Sequence, residues 1–517
     1  MSRARQISWL LAALAMVGLG AGVASGQAKP SKRATSRATA TAVATAAQAQ
    51  ASPAARSPRT ANPRIGSVKW RTWIWPTPYR SRNHIALGAV RLGTTVALKS
   101  DQPVSGNKWF AVEPYGYVFA DDTTTRDFDS PYWQALRSVA PKPGPWPYPY
   151  AFSTGAPMYS RIPTPKEQGS CENGLGPKRT FKPLGKWSES HEVLVLRDPK
   201  DGIQPTGPVP DFIRGHEPIT GSPWNPANPK VKIVPAGSGV AWAKAFRAAG
   251  RVWLLTPDLL LVPADRVFPY ARSSFRGIEL KGDHKLPLAW VRGKQAKQLQ
   301  RDAGGGFRDT GKEWRNKTYV LLTGERRELS GATYLRTREQ GSSLWVKDDQ
   351  ALSVVEAVTK LQFGLKPDER WVQASITDGT MVAYVGLTPV WTTLWSGGKG
   401  GIPVPGNDPK KFATTELGIF PLQWKDQVAT MSPDKGSPTV FWFPAVPHIQ
   451  YVHAPLAIHV AFWHDNFGNL MSAECINLSG ADGKWLFDFT LPKLPPGWNS
   501  IRPHKLSGPS TKIHIIP

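Results

Sequence analysis

Ala457-Ile458-His459-Val460-Ala461-Phe462-Trp463-His464-Asp465-Asn466-Phe467-Gly468-Asn469-Leu470-Met471-Ser472-Ala473-Glu474-Cys475-Ile476-Asn477-Leu478 decides how the rest of the chain is read. Its first residues are apolar around a single imidazole, which predicts a buried strand. A strand would hold the His459 ring rigidly against the loop that carries Cys475. Acyl transfer needs this pairing, because a thiol at its ordinary pKa is only slightly ionised near neutrality. An imidazole can take the thiol proton and later return one to a leaving amine. Backbone N–H groups beside the cysteine would then stabilise the oxyanion of a tetrahedral intermediate.

Upstream, Trp371–Ile376 and Thr380–Tyr384 predict a β-hairpin, and Pro389–Leu394 a further strand ending at Ser396-Gly397-Gly398. Thr415-Glu416-Leu417-Gly418-Ile419-Phe420 comes next, then Lys425 and Met431. Downstream, Ala481-Asp482 and Trp485-Leu486-Phe487 predict a short helix behind the cysteine.

This ordered series, over about residues 367–517, resembles the catalytic domain of L,D-transpeptidases. That family has an opening hairpin, a strand ending in Ser-x-Gly, a Thr-Pro-x-Gly-x-Phe element and an upstream His. A Ser-His-Gly-Cys box follows, then an apolar residue and Asn or Arg. The resemblance implies Cys475 as nucleophile and His459 as its base. It places Ser472, Glu474, Asn477, Trp463 and His464 in catalytic support or the substrate groove. It implies a β-sandwich with short helices and no cofactor or metal. The donor would be a peptidoglycan stem peptide cleaved between its L- and D-residues. Cys475 would be acylated, D-alanine would leave, and an amine on a second stem would resolve the thioester.

Two departures stand out. Glu416 replaces the family Pro, and Ala473-Glu474 replaces His-Gly before the cysteine. A side chain in place of Gly restricts the backbone, and a carboxylate beside the site opposes both thiolate and oxyanion. A non-catalytic wall-binding protein on the same fold is therefore the alternative reading. Two others stay open: a Cys171–Cys475 disulfide, and a zinc site from His453, His459 and His464 with Asp465, as in a metal-dependent wall hydrolase.

The rest of the sequence sets the context. The chain has 517 residues with 49 Pro, 47 Gly and 22 Trp, which predicts a mainly β, multidomain protein with many turns. Its net charge is +26, and the first 66 residues contain nine Lys or Arg and no acid, so the remainder still carries +17. Such a surface suits anionic envelope polymers. Nucleic acid is not expected as a partner, since zinc-finger spacing and an RNP-like motif are missing from the sequence. Arg3 and Arg5, an apolar run from Trp9 to about Val23 and the small residues Ala24-Ser25-Gly26 have the order of a secretory signal peptide. Export to the periplasm or cell envelope follows, with membrane contact only through that segment if it stays uncleaved. Residues 27–66, rich in Ala, Thr, Ser, Pro and Arg, are expected to be a flexible linker.

Residues 67–130 alternate polar and apolar side chains in short runs, notably Lys69–Trp75, Val90–Leu98, Trp109–Val112 and Gly116–Val118. The order resembles small SH3-like β barrels. Tyr132–Phe152, dense in Pro and aromatics, is expected to be an extended connector. The middle region, 131–366, is expected to be β-rich with possible further SH3-like modules. Strands are predicted at His191–Leu196, Val231–Val234, Val252–Leu255, Leu259–Val262 and Tyr319–Leu322. Short helices are predicted at Ser238–Ala248 and Lys294–Asp302.

Overall fold

The computed structural model describes residues 63–81, 84–178, 180–181, 191–213, 233–339, 343–432 and 441–517. The expected signal peptide and most of the expected linker lie outside these residues. The strand Arg64–Ser67 begins inside the stretch expected to be linker. Among the described residues no helix is long and apolar enough to cross a membrane.

The fold is mainly β, as the composition predicts: strands between Leu288 and Val355 form a seven-stranded sheet, and the region from Arg370 onward is built on two further sheets that pack as a sandwich. One sheet has six strands in the order Ile278–Glu279, Thr388–Leu394, Thr380–Val385, Arg370–Ser375, Lys512–Ile516 and Gly418–Pro421. The predicted hairpin is at its centre, with Trp371 opposite Tyr384 and their rings stacked at 4.5 Å. The other sheet has nine strands. Ile476–Leu478, Leu456–Val460, Phe443–His453 and Trp424–Met431 form one side of it. Ser500–Ile501, Gly88–Arg91, Arg71–Trp75, Tyr117–Phe119 and Trp109–Ala111 complete it.

Between the two sheets lies a core of Val372, Ala374, Met381, Trp391, Ile458, Ile476 and Leu486, among others. Leu486 belongs to the helix Gly480–Phe489, which forms where predicted. The helix is capped by Ser479, whose hydroxyl accepts from the Asp482 N–H. The opposite face of the nine-stranded sheet is covered near Ala457 and Ala461 by Tyr150, Phe152, Phe268 and Tyr270.

The nine-stranded sheet crosses the expected domain boundaries, because Gly88–Arg91 pairs with Ser500–Ile501. Gly88 permits this junction, since a Cβ there would stand 2.0 Å from the Ser500 carbonyl oxygen. The expected alternation of Lys69–Trp75 appears in the strand Arg71–Trp75, and Val90–Leu98 is split into two strands at the turn around Gly93.

Several middle-region expectations are corrected. Ser238–Ala248 forms two strands, Gly239–Ala241 and Lys244–Ala248, not a helix. Lys294–Asp302 contains the strand Ala296–Arg301, again not a helix. In both, strong helix formers yield to cross-strand partners, Phe152 to Tyr150 for one and Phe307 to Trp314 for the other. His191–Leu196 contributes only an isolated bridge between Val195 and Tyr270. The connector Tyr132–Phe152 opens with the helix Pro131–Ser138, which Pro131 starts at its first turn. The expected strands at Val252–Leu255 and Tyr319–Leu322 form, the second running on to Leu329.

Candidate active site

His459 lies within the Leu456–Val460 strand, parallel to Ile476–Leu478, with His459 opposite Asn477. Cys475 immediately precedes that second strand. Its side chain packs on the covered face with Ala457 and Trp463, whereas Ile476 enters the core between the sheets. The segment after the hairpin fixes the cysteine loop. The Ser396 and Asn477 backbones exchange two hydrogen bonds of 3.0 and 2.9 Å, and the Gly397 carbonyl accepts from Met471 and Ser472 N–H groups at 2.9 Å each. Gly398 is required here, because a Cβ would stand 2.2 Å from the Ala413 carbonyl oxygen. The Gly398 N–H donates to Thr415 Oγ1, which donates to the Glu474 carbonyl at 2.7 Å. Ser472 Oγ donates to the Cys475 carbonyl at 2.5 Å. The Ser-x-Gly and Thr415 elements thus act as the clasp of the cysteine loop.

His459, Asn477 and His464 form one buried chain of hydrogen bonds, each residue no more than 2% exposed. Its proton positions follow from groups that have only one role. The Val460 carbonyl can only accept, so His459 Nδ1 carries the proton of that 3.1 Å bond. The Asn466 N–H can only donate, so His464 Nδ1 is unprotonated and its Nε2 donates to Asn477 Oδ1 at 3.1 Å. Asn477 Nδ2 is then left to donate to His459 Nε2 at 3.2 Å. Both rings are neutral, and burial pulls each histidine down to about 4.

Cys475 and His459 are not hydrogen-bonded to each other. Cys475 Sγ, half-buried, lies 3.8 Å from the Pro455 carbonyl, and the Ala457 N–H points to the sulfur. Burial pushes the thiol up to about 12, the Ala457 N–H opposes this, and the Glu474 carboxylate adds to it. Burial likewise raises Glu474, against the pull of Lys410 and His453. The resting sulfur is therefore a protonated thiol.

The other predicted residues divide clearly. Trp463 and His464 are 7% and 0% exposed, so neither lines an open groove. Trp463 packs 5.7 Å from the His459 ring and 4.5 Å from Phe443. His453 sits apart, its Nε2 2.9 Å from Glu416. Among the described residues no three His, Cys, Asp or Glu side chains converge as a metal site would need. Neither cysteine is in a disulfide: Cys171 packs beside Tyr159 and Trp253, in a different cluster from Cys475.

Sequence reasoning missed the residues that brace the loop from outside. Lys317 Nζ forms a salt bridge with Asp465 and also donates to its carbonyl at 3.0 Å. Ser273 Oγ donates to the same carboxylate, and Arg292 donates to the carbonyls of Thr377 and Gly468 at 2.7 and 3.1 Å. No local motif marks these residues, because each acts on a segment more than eighty positions away.

No family profile and no curated protein matches the chain. Solved structures are similar to part of it. An L,D-transpeptidase from Enterococcus faecium is 18% identical with a TM-score of 0.21, over 29% of this chain and 50% of that one. An L,D-transpeptidase from Mycobacterium smegmatis is 16% identical with a TM-score of 0.22, over 38% of this chain and 99% of that one. L,D-transpeptidase 3 from Mycobacterium tuberculosis is 16% identical with a TM-score of 0.20, over 38% of this chain and 79% of that one. The match thus spans about half the length of the Enterococcus chain.

Proposed function

We propose that this is an exported cell-envelope protein whose C-terminal fold transfers acyl groups between peptidoglycan stem peptides through Cys475. The observation that supports this reading best is the pairing of the His459 strand with the strand that Cys475 opens. Neighbouring strands lie about 4.8 Å apart and advance about 3.3 Å per residue, so the two residues are one side-chain rearrangement from contact. His459 is held in the tautomer a base needs, with its lone pair on Nε2. In the reaction that atom exchanges Asn477 for the thiol, takes its proton as sulfur attacks the stem carbonyl, and returns it to the departing D-alanine. A second stem's amine then attacks the thioester, and the same imidazole takes the amine proton.

A second reading, a non-catalytic wall-binding protein, is favoured by one observation: the thiol is pushed up to about 12 with no bond to His459. Intact-mass spectrometry with a carbapenem separates the two. The enzyme reading expects one covalent adduct on the native chain and none on Cys475→Ala. An unmodified native chain, with Cys475 alkylating slowly, would leave the binding reading.

A further inference from the structure

One face of the nine-stranded sheet runs from the cysteine to the N-terminal strands. Trp73 lies opposite Ala89, Ala89 opposite Ser500, and Ser500 opposite Asp426. Two residues before Asp426, Trp424 lies opposite Tyr451, and Tyr451 opposite Ala457, which donates to Cys475. Residues directly opposed across strands share a face, so these side chains form a single continuous row. Burial raises the Tyr451 hydroxyl, the charges of Asp426 and Cys475 add to this, and Arg71 opposes it.

Over Phe443–His453 and beyond, this face is covered by aromatic residues of the middle region. Over Trp424 and the N-terminal strands it carries half-exposed rings, each with a cation against it. Arg71 lies 5.2 Å from the Trp73 ring centre, Arg502 5.0 Å from Trp424, and Trp73 and Trp424 meet edge to face at 6.2 Å. Arg80 lies 4.9 Å from Phe119 and 5.8 Å from Trp75, with Lys108 6.0 Å from Phe119. Two acids near this face are Asp426, which is buried, and Asp121, which lies 3.6 Å from Arg80.

From this arrangement we propose that the open face is a binding surface for a glycan strand that carries carboxylates. Pyranose C–H groups stack against the negative faces of Trp and Phe rings, while the adjoining guanidinium groups take carboxylates in bidentate fashion. The alternation of ring and cation along one sheet face matches a polymer that repeats sugar and acid. A strand lying along it would lead its substituents toward Tyr451 and Cys475. Binding here does not depend on whether Cys475 reacts, so it stands apart from the acyl-transfer reading.

The test is tryptophan-fluorescence titration of the full chain with hyaluronan oligosaccharides, which alternate an N-acetylhexosamine with a hexuronate. Saturable binding is expected. It should weaken about tenfold in the double variant Trp75→Ala with Arg80→Ala, and by a similar factor with the carboxyl-reduced oligosaccharide. The reduced polymer needs no variant, so a folding defect cannot mimic that result. Cys475→Ala should bind as the native chain does. The proposal is overturned by absence of binding, by an unchanged Kd in the double variant, or by loss of binding in Cys475→Ala. Equal affinity for polyglutamate or a single-stranded oligonucleotide would overturn it too, pointing to charge alone or to nucleic acid.

Discussion

Asn477 does at the residue scale what a catalytic site asks of an orienting group. One amide fixes two imidazoles in complementary tautomers, accepting from His464 and donating to His459. The sequence flagged Asn477 as support, but its bridging role depends on His464 turning inward, which spacing alone does not disclose. His448 is also buried and His191 half-buried, and burial pulls both, like His459 and His464, down to about 4. Each is neutral when folded and protonates near its ordinary value when unfolded. Their stabilising contribution is therefore full above about pH 6.5 and is lost as pH falls from there to about 4, by up to about 3 kcal/mol each. Urea unfolding at pH 7.5 and pH 4.5 should show a much lower midpoint at the acid value. Equal midpoints would mean that none of these rings is held neutral by the fold.

Lys425 shows how an element is held at its end. The residue is fully buried, and its Nζ donates to the carbonyls of Phe487, Thr490 and Pro492 at 2.7, 3.0 and 3.1 Å. These include the C-terminal carbonyls of the helix behind the cysteine, where a cation also meets the negative end of the helix dipole. Burial pulls the amine down to about 7, yet three acceptors match the three protons of an ammonium. Lys425→Met should destabilise the fold by about 3 kcal/mol, because buried carbonyls lose their donor. Guanidinium unfolding would measure it, and a change below about 0.5 kcal/mol would show that water replaces the lysine. The opening hairpin, the strand Thr388–Leu394, the His459 strand and the helix behind the cysteine were legible because their apolar positions recur at strand and helix periods, whereas Phe443–His453 and Lys512–Ile516 were not anticipated. The strand at Ala296–Arg301 was not, because Ala, Lys, Gln and Leu favour helix locally and only the pairing with Leu344–Lys347 and Phe307–Trp314 makes it a strand.

The largest feature, a sheet shared by the two ends of the chain, could not be read from periodicity, which says nothing about which distant strand is the partner. Trp498 and Ile501 lie in one core with Ile74, Val90 and Val118, and Trp498 Nε1 donates to the Glu113 carbonyl at 3.0 Å. The two regions should therefore unfold as one unit. The intact chain is expected to show a single urea transition, coincident by far-UV circular dichroism and tryptophan fluorescence. A truncation lacking residues 63–130 should lose cooperative unfolding; a C-terminal region that melts sharply by itself would refute the shared core. The junction of Ala89 with Ser500 also dictates timing. A sheet that joins Ala89 to Ser500 forms only after the whole stretch between them has left the ribosome, and the entropy of closing so large a loop slows it further. Until then the strand edges on both sides of the junction remain open to wrong partners. Early synthesis thus yields an unfinished chain, whose architecture locks only once Ser500 and Ile501 have emerged to pair with Ala89 and Gly88.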